Sequence, residues 1–208
     1  GSEMCIRDRV KAEASDDSNV FRVELEDGSS FRLAELKAFL PLSDGREIRP
    51  GTQDDAAAAL LAVHHFNNID TMSPILKPED VENCDIKLTM EIVDSKFSPI
   101  GSTRVFTESL HTENTLSTPL PTAVIGAYRS ATTSPLAILT GVNGIPQVSY
   151  ASTSTDFDVK EQFPLFGRTV TSSTGEAKVA LDFFLSIGST HVGVLFVTVG
   201  IACFSVFC

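Results

Sequence analysis

Segments with extended and helical sequence patterns alternate along residues 36–198, and this alternation limits the possible folds more than any other feature. The predicted strands are 35–43, 85–95, 122–127, 145–150, 163–170 and 191–198, and the predicted helices are 52–69, 99–111, 130–143 and 174–188. Strands that alternate with helices of this length are typical of a parallel sheet. The sequence therefore predicts an α/β fold, in which helices flank both faces of a parallel sheet.

The N-terminal part has a different pattern. In residues 19–33, alternating apolar residues flank the dipeptide Asp27-Gly28, which is a strong hairpin signal. We therefore expect residues 10–35 to form a hairpin-like N-terminal extension that precedes the α/β part.

Both ends of the chain look non-native. Residues 1–9 contain no apolar signal-peptide core and resemble translated sequencing-adaptor sequence, so we interpret them as a non-native leader. Residues 192–208 contain no charged side chain. The 17 residues of this stretch are at the lower limit of length for a membrane-spanning helix. Val, Phe and Gly in this stretch favour instead a buried strand at 191–198, followed by an aberrant tail at 199–208.

The composition excludes several classes of function. The formal net charge of −11 and the pI of about 4.7 argue against binding to nucleic acid. The four cysteines have no zinc-binding spacing relative to each other or to the histidines, so we predict no metal site. Cys84 is either half of a disulfide or a buried free thiol, and the sequence does not decide between them.

Signatures of catalysis and of cofactor binding are missing from the sequence. There is no G-x-S-x-G turn, no phosphate-binding loop, and no G-x-G-x-x-G after a predicted strand. No nucleophile, base and acid form a recognisable set. We therefore predict no catalytic residues and no cofactor, although an α/β enzyme stays a third hypothesis because catalytic residues need not be close in sequence.

Hydroxyl side chains follow two predicted strands that should be neighbours. The turns are "GAYRSATTS" (126–134) and "YASTSTD" (150–156), and both are expected at the carboxyl edge of the sheet, where ligands bind. The first turn also opens a helix, whose N-terminus can hold an anion. Ser130 either contributes to such a site or only caps the helix. Arg129 either steers an anion or is simply solvated.

At these turns the sequence resembles a known family. The segment "TAVIGAYRSATTSPLAILTGVNGIPQVSYASTSTDFDVKEQFPLFGRTVTSS" (122–173) is similar to the ligand-binding region of metabotropic glutamate, GABA-B and natriuretic peptide receptors. The run I-P-Q-V-S-Y-A-S-T and the later F-x-R strand with Phe166 and Arg168 are distinctive. The resemblance covers roughly 36–198. It implies a Venus-flytrap module, of which this chain holds a truncated first lobe with a periplasmic-binding-protein type I fold.

The resemblance also implies ligand-binding residues. Ser130 matches a hydroxyl that holds the α-carboxylate of amino-acid ligands, and Thr153 matches one that contacts the α-amino and carboxylate groups. Ala151 falls where the ligand contacts the backbone, and Ser152 is its neighbour. Ser173 stands where the family has an acidic contact to the amino group. The identity of the ligand is therefore open.

Two functional hypotheses follow from the resemblance. The first is the extracellular ligand-binding region of a cell-surface receptor, in which a small amino-acid-like ligand closes two lobes and shifts an open-closed equilibrium. Its parent would be anchored in the membrane and could form a homodimer through the first lobe. The alternative is a soluble periplasmic-type solute-binding protein for amino-acid transport.

Overall fold

The structure is a computed structural model of the 208-residue chain. It describes residues 11–14, 20–24, 30–43, 47, 52–68, 84–112, 120–193, 195–197 and 201–203. The leader at 1–9, most of the loop after residue 43, and the greater part of the polar connection between residues 112 and 121 lie outside the described residues.

The described residues form nine strands, four α-helices and a short 3₁₀ helix. The strands are β1 (Lys11–Ala14), β2 (Val20–Glu24), β3 (Ser30–Leu40), β4 (Ile86–Asp94), β5 (Ala123–Gly126), β6 (Gln147–Ser149), β7 (Phe166–Arg168), β8 (Leu195–Val197) and β9 (Ile201–Cys203). The helices are α1 (Thr52–Asn68), α2 (Pro99–Thr112), α3 (Ser130–Val142) and α4 (Ser173–Ser186), and the 3₁₀ helix is Thr155–Asp158.

Five strands of the main sheet are parallel, in the order β4-β3-β5-β6-β7. The chain first moves from β3 to β4, and then crosses back to add β5, β6 and β7 on the other side of β3. The direction of winding therefore reverses between β3 and β5, which is the place where doubly wound sheets bind ligands. The prediction of an α/β fold with a parallel sheet is confirmed.

The N-terminal hairpin is part of the same sheet. Strands β1, β2 and β3 are antiparallel, and β2 pairs with the first half of β3, whereas β5 pairs with its second half. The predicted hairpin is therefore present, but its second strand and the first parallel strand are a single strand that starts at Ser30 and ends at Leu40. The predicted strand at 35–43 begins earlier and ends earlier than expected.

The core lies on both faces of β3, because successive side chains of a strand point to opposite faces. Phe39 is fully buried in a cluster with Phe106 of α2 and Leu136 of α3. Its neighbours Ala38 and Leu40 are also buried, on the opposite face, where α1 packs against β3 and β4. Helices therefore cover both faces of the sheet.

Helix α1 is joined to β4 by an amide side chain. Asn67 Nδ2 donates to the carbonyl of Leu88, and the N–H of Leu88 donates to Asn67 Oδ1, both at 2.8 Å. Strand β4 pairs only with β3 among the described strands, so its outer edge has backbone groups without a strand partner. The side chain of Asn67 satisfies two of them, as a neighbouring peptide group would.

The C-terminal part differs from the prediction. Strand β8 does not extend the parallel sheet, but pairs antiparallel with β9 as a separate two-stranded sheet. Helix α4 has no buried residue, and the side chains of Val179 and Phe183 are 69% and 57% exposed. The prediction that the strand at 191–198 belongs to the parallel sheet is therefore wrong, since β8 pairs with β9 and not with a strand of that sheet.

The structure also bears on the predictions for Cys84 and for a membrane-spanning helix. Cys84 is a free and exposed cysteine, so the interpretation of a buried thiol is wrong. No helix among the described residues is both long enough and apolar enough to cross a membrane.

Candidate functional site

The turns after β5, β6 and β7 lie side by side at the carboxyl edge of the sheet, because these three strands are parallel neighbours. Ser130 opens α3 after the first turn, Ala151, Ser152 and Thr153 belong to the second turn, and Ser173 opens α4 after the third strand. The structure thus places all the sequence-predicted site residues at one edge, as expected for Ser130 and Thr153.

The carbonyl oxygen of Ala127, directly after β5, holds the first two turns together. It accepts hydrogen bonds from the hydroxyls of Ser149 at 2.8 Å, Thr133 at 3.0 Å and Ser152 at 3.3 Å. The hydroxyls of Thr133 and Ser152 also bond to each other at 2.6 Å. All three of these side chains are buried. Thr133, Ser149 and Ser152 therefore form a buried frame of hydroxyl groups that connects the turns of the site.

Gly126 permits this arrangement. Its φ is +107°, which side chains of L-residues rarely adopt, and an added Cβ would lie 2.4 Å from the carbonyl oxygen of Phe39. Only glycine fits between β3 and β5 at this point, immediately before the carbonyl that accepts three hydroxyl groups.

Ser130 does not cap α3. The N-cap residue is Arg129, and it makes no side-chain capping bond. Ser130 Oγ instead accepts a hydrogen bond at 3.1 Å from the N–H of Ser154, in the turn after β6. The first N–H groups of α3, those of Ser130 and Ala131, have no acceptor in the part of the chain that the structure describes. These N–H groups are directed outward from the start of a helix and are available to an anion.

Thr153 connects the second turn to the third. Its carbonyl accepts from the N–H of Ser173 at 2.9 Å and from the hydroxyl of Ser173 at 3.0 Å. The Thr153 side chain is half-buried, and its own hydroxyl makes no hydrogen bond with the described residues. Of the predicted contacts, Thr153 thus has a hydroxyl available to a ligand, whereas the hydroxyl of Ser173 is used within the protein.

Arg168 bonds to the backbone of the second turn. Its guanidinium donates to the carbonyl of Ser154 at 2.8 Å and forms an ion pair with Asp158. The same guanidinium nitrogen that bonds Ser154 also lies 3.5 Å from the carbonyl oxygen of Ser152. A guanidinium can bond several oxygens at once in fixed geometry, so the arginine of the F-x-R strand holds the turn in shape.

A row of aromatic rings lies along the same edge. The ring centroids of Phe97 and Tyr128 are 5.7 Å apart, and those of Tyr128 and Tyr150 are 6.1 Å apart. These residues follow β4, β5 and β6, so the row passes the end of β3, where the winding reverses. Burial, and to a lesser extent the nearby carboxylate of Asp55, raises the pKa of the Tyr150 hydroxyl, which stays neutral.

Sequence reasoning missed the frame and the aromatic row. Thr133 lies in the first quoted turn and Ser149 directly precedes the second, but nothing in their type distinguishes a buried frame hydroxyl from a ligand-binding one. Phe97 lies 31 residues before Tyr128, and only the strand order brings the two rings together.

The chemistry of this edge is that of binding. Hydroxyl, backbone N–H and aromatic groups can hold a small polar molecule by hydrogen bonds and ring contacts. Among the described residues, no group of three or more His, Cys, Asp or Glu side chains is placed to hold a metal ion.

Comparison with known proteins agrees with this description. No curated protein matches the chain significantly. The family model described as "Receptor family ligand binding region" matches residues 55–199, which is more than half of the chain and includes all three turns. Its members are ligand-binding regions of receptor or periplasmic-binding type, and the α/β fold agrees with one lobe of such a protein. The chain belongs to the receptor family of ligand-binding regions.

Proposed function

We propose that this chain is the extracellular ligand-binding lobe of a cell-surface receptor and that it binds a small amino-acid-like ligand without catalysing a reaction. The observation that carries the proposal is the edge at β5 to β7. Three turns there are tied to each other by hydrogen bonds, while the Thr153 hydroxyl and the first N–H groups of α3 have no partner in the described residues. The matched family, whose members are ligand-binding regions of receptor or periplasmic-binding type, supports a binding role for this edge.

In this proposal the five site residues have different roles. Ser130 and Thr153 donate hydrogen bonds to the ligand carboxylate, and the backbone near Ala151 lies against it. Ser152, which is fully buried, positions the turn, and Ser173 holds the carbonyl of Thr153. Each ligand bond contributes about 0.5–1.5 kcal/mol.

The proposal includes a parent anchored in the membrane and a homodimer through this lobe. Support for the dimer is limited to apolar side chains on the surface of α1, where Leu60 and Leu61 are both exposed.

The experiment is a ligand-observed NMR titration of the 208-residue chain with glycine, alanine, aspartate and glutamate. Ser130→Ala and Thr153→Val should each weaken binding by about threefold to tenfold, the loss expected for one hydrogen bond. Thr107→Val is the matched control, because its hydroxyl donates only to Thr103 within α2. If the chain binds none of these four amino acids and also does not bind succinate, or if the three variants lose affinity equally, the proposal is contradicted.

A further inference from the structure

Arg129 occupies a position that its own helix does not favour. It is the N-cap residue of α3, where the helix dipole places positive charge, so a cation there is unfavourable for the helix. The side chain is exposed, and it makes no ion pair or hydrogen bond with any residue that the structure describes. All five N–H donors of its guanidinium are therefore available.

The guanidinium is nevertheless held in place. Its central carbon lies 4.4 Å from the centroid of the Phe97 ring, which is the geometry of a cation–π contact. The Phe97 ring in turn packs against Tyr128, which packs against Tyr150. A cation–π contact involves no hydrogen bond between described residues, so it leaves the N–H donors of the guanidinium without an acceptor.

The charged side chains around the three turns include two carboxylates, and Arg129 is the guanidinium that pairs with neither of them in the described residues. Asp158 is paired with Arg168, and Asp156 accepts a hydrogen bond from the Ser154 hydroxyl at 3.0 Å, within the turn itself. At the position of Ser173, the side chain is a hydroxyl donor that bonds the carbonyl of Thr153. Asp55 is close enough to Tyr150 to act on its hydroxyl, and it makes no ion pair with Arg129.

These contacts bear on the charge that a ligand at the start of α3 can carry. The chain has a net charge of −11 and repels anions at long range, so an anion needs a local cation without a partner. An α-amino acid carries its ammonium next to its carboxylate, and a carboxylate placed at the start of α3 would bring that ammonium close to Arg129.

We infer that Arg129, held over Phe97, makes the proposed site select carboxylic acids that lack an α-ammonium over the corresponding α-amino acids. The inference rests on the proposed function and names the ligand class for the same site. The carboxylate accepts from the Arg129 guanidinium as well as from Ser130 and Thr153.

The test compares succinate with aspartate, which differ only in the ammonium group, by ligand-observed NMR titration of the 208-residue chain. Wild type should bind succinate more tightly than aspartate. Arg129→Met keeps an apolar stem over Phe97 without the charge, and should weaken succinate binding by about tenfold, which corresponds to about 1.4 kcal/mol. Arg129→Lys keeps the charge and should retain most of the preference.

Arg104→Met is the matched control, because Arg104 is exposed on α2 and outside the three turns. If succinate binding survives Arg129→Met unchanged, Arg129 only covers the Phe97 ring, and the inference is wrong while the proposed function stands. If wild type binds aspartate as tightly as succinate, the inference is also wrong. If wild type binds neither molecule, both the inference and the proposed function fail.

Discussion

The hydroxyl oxygen of Ser130 accepts a hydrogen bond from the N–H of Ser154, across 3.1 Å between the start of α3 and the turn after β6. Ser130, for which the sequence left a ligand contact and a helix cap as alternatives, thus connects two turns by a hydrogen bond. The same turn is bonded on its other side, where the carbonyl of Thr153 accepts from Ser173 at the start of α4. The candidate site depends on these contacts, because each turn by itself is a short loop without a core.

The buried hydroxyl of Ser152 is predicted to be important for folding stability. Ser152→Ala removes its bonds to Thr133 and to the carbonyl of Ala127, and leaves the Thr133 hydroxyl with one partner fewer in a dry environment. We expect a loss of about 1–3 kcal/mol in the free energy of unfolding, measured by urea denaturation. Ser186→Ala, which removes an exposed hydroxyl bonded to Phe183 within α4, should change it by less than about 0.5 kcal/mol.

Alanine substitutions at two glycines should change the stability of the fold in opposite directions. Gly126→Ala places a methyl group 2.4 Å from the Phe39 carbonyl at a positive φ, and should destabilise the fold by about 1–3 kcal/mol or more. Gly141→Ala, in helix α3 with open space around the added carbon, should stabilise it by about 0.4–1 kcal/mol. Equal effects of the two substitutions on the urea midpoint would show that β3 and β5 are not packed as described.

The sequence predicted the parallel sheet because each segment carries its own periodic pattern, as the alternation of Ile86, Leu88 and Met90 in β4 illustrates. It also placed Ser130 and Thr153 at the same edge of the sheet, since both follow strands that are parallel neighbours. The sequence wrongly predicted that β8 joins the parallel sheet, because an apolar run indicates a strand but does not indicate which strand it pairs with. It could not separate frame hydroxyls from ligand-binding ones, because that difference lies in partners distant in sequence, such as the carbonyl of Ala127 for Ser152.

Asp94 is expected to make the stability of the fold depend on pH in the acidic range. Burial alone would raise the pKa of this carboxyl group, but hydrogen bonds from the Ser43 hydroxyl and from the N–H groups of Lys96 and Ser43 outweigh it, so the pKa lies below its ordinary value. Because the folded state lowers this pKa, the stabilisation is present above the unfolded value of about 3.9 and is lost as the pH falls through the folded value.

We therefore expect Asp94→Asn to lower the free energy of unfolding near neutral pH, and the difference from wild type to shrink as the pH falls below about 4. Urea denaturation at a series of pH values measures it. Asp182→Asn on the exposed surface of α4 is the control. A difference between wild type and Asp94→Asn that stays constant down to the most acidic conditions would argue against these hydrogen bonds.

The last prediction concerns affinity for free amino acids, which should be millimolar or weaker for this chain. The groups at the carboxyl edge that have no partner in the described residues are few, and each hydrogen bond contributes only about 0.5–1.5 kcal/mol. Association costs at least roughly 4 kcal/mol in lost translational and rotational freedom. Three or four such bonds barely offset that cost, whereas a dissociation constant of 1 mM already requires about 4 kcal/mol net.

Ser173 lowers the affinity for a zwitterion further, because its hydroxyl donates to the carbonyl of Thr153 and offers no carboxylate to an ammonium group. Isothermal titration of the 208-residue chain against a panel of amino acids measures the affinity directly. Micromolar binding of any of them would contradict the prediction, because the contacts at β5 to β7 cannot supply the roughly 8 kcal/mol that such binding needs. The chain would then contain a complete binding site that involves groups beyond the three turns.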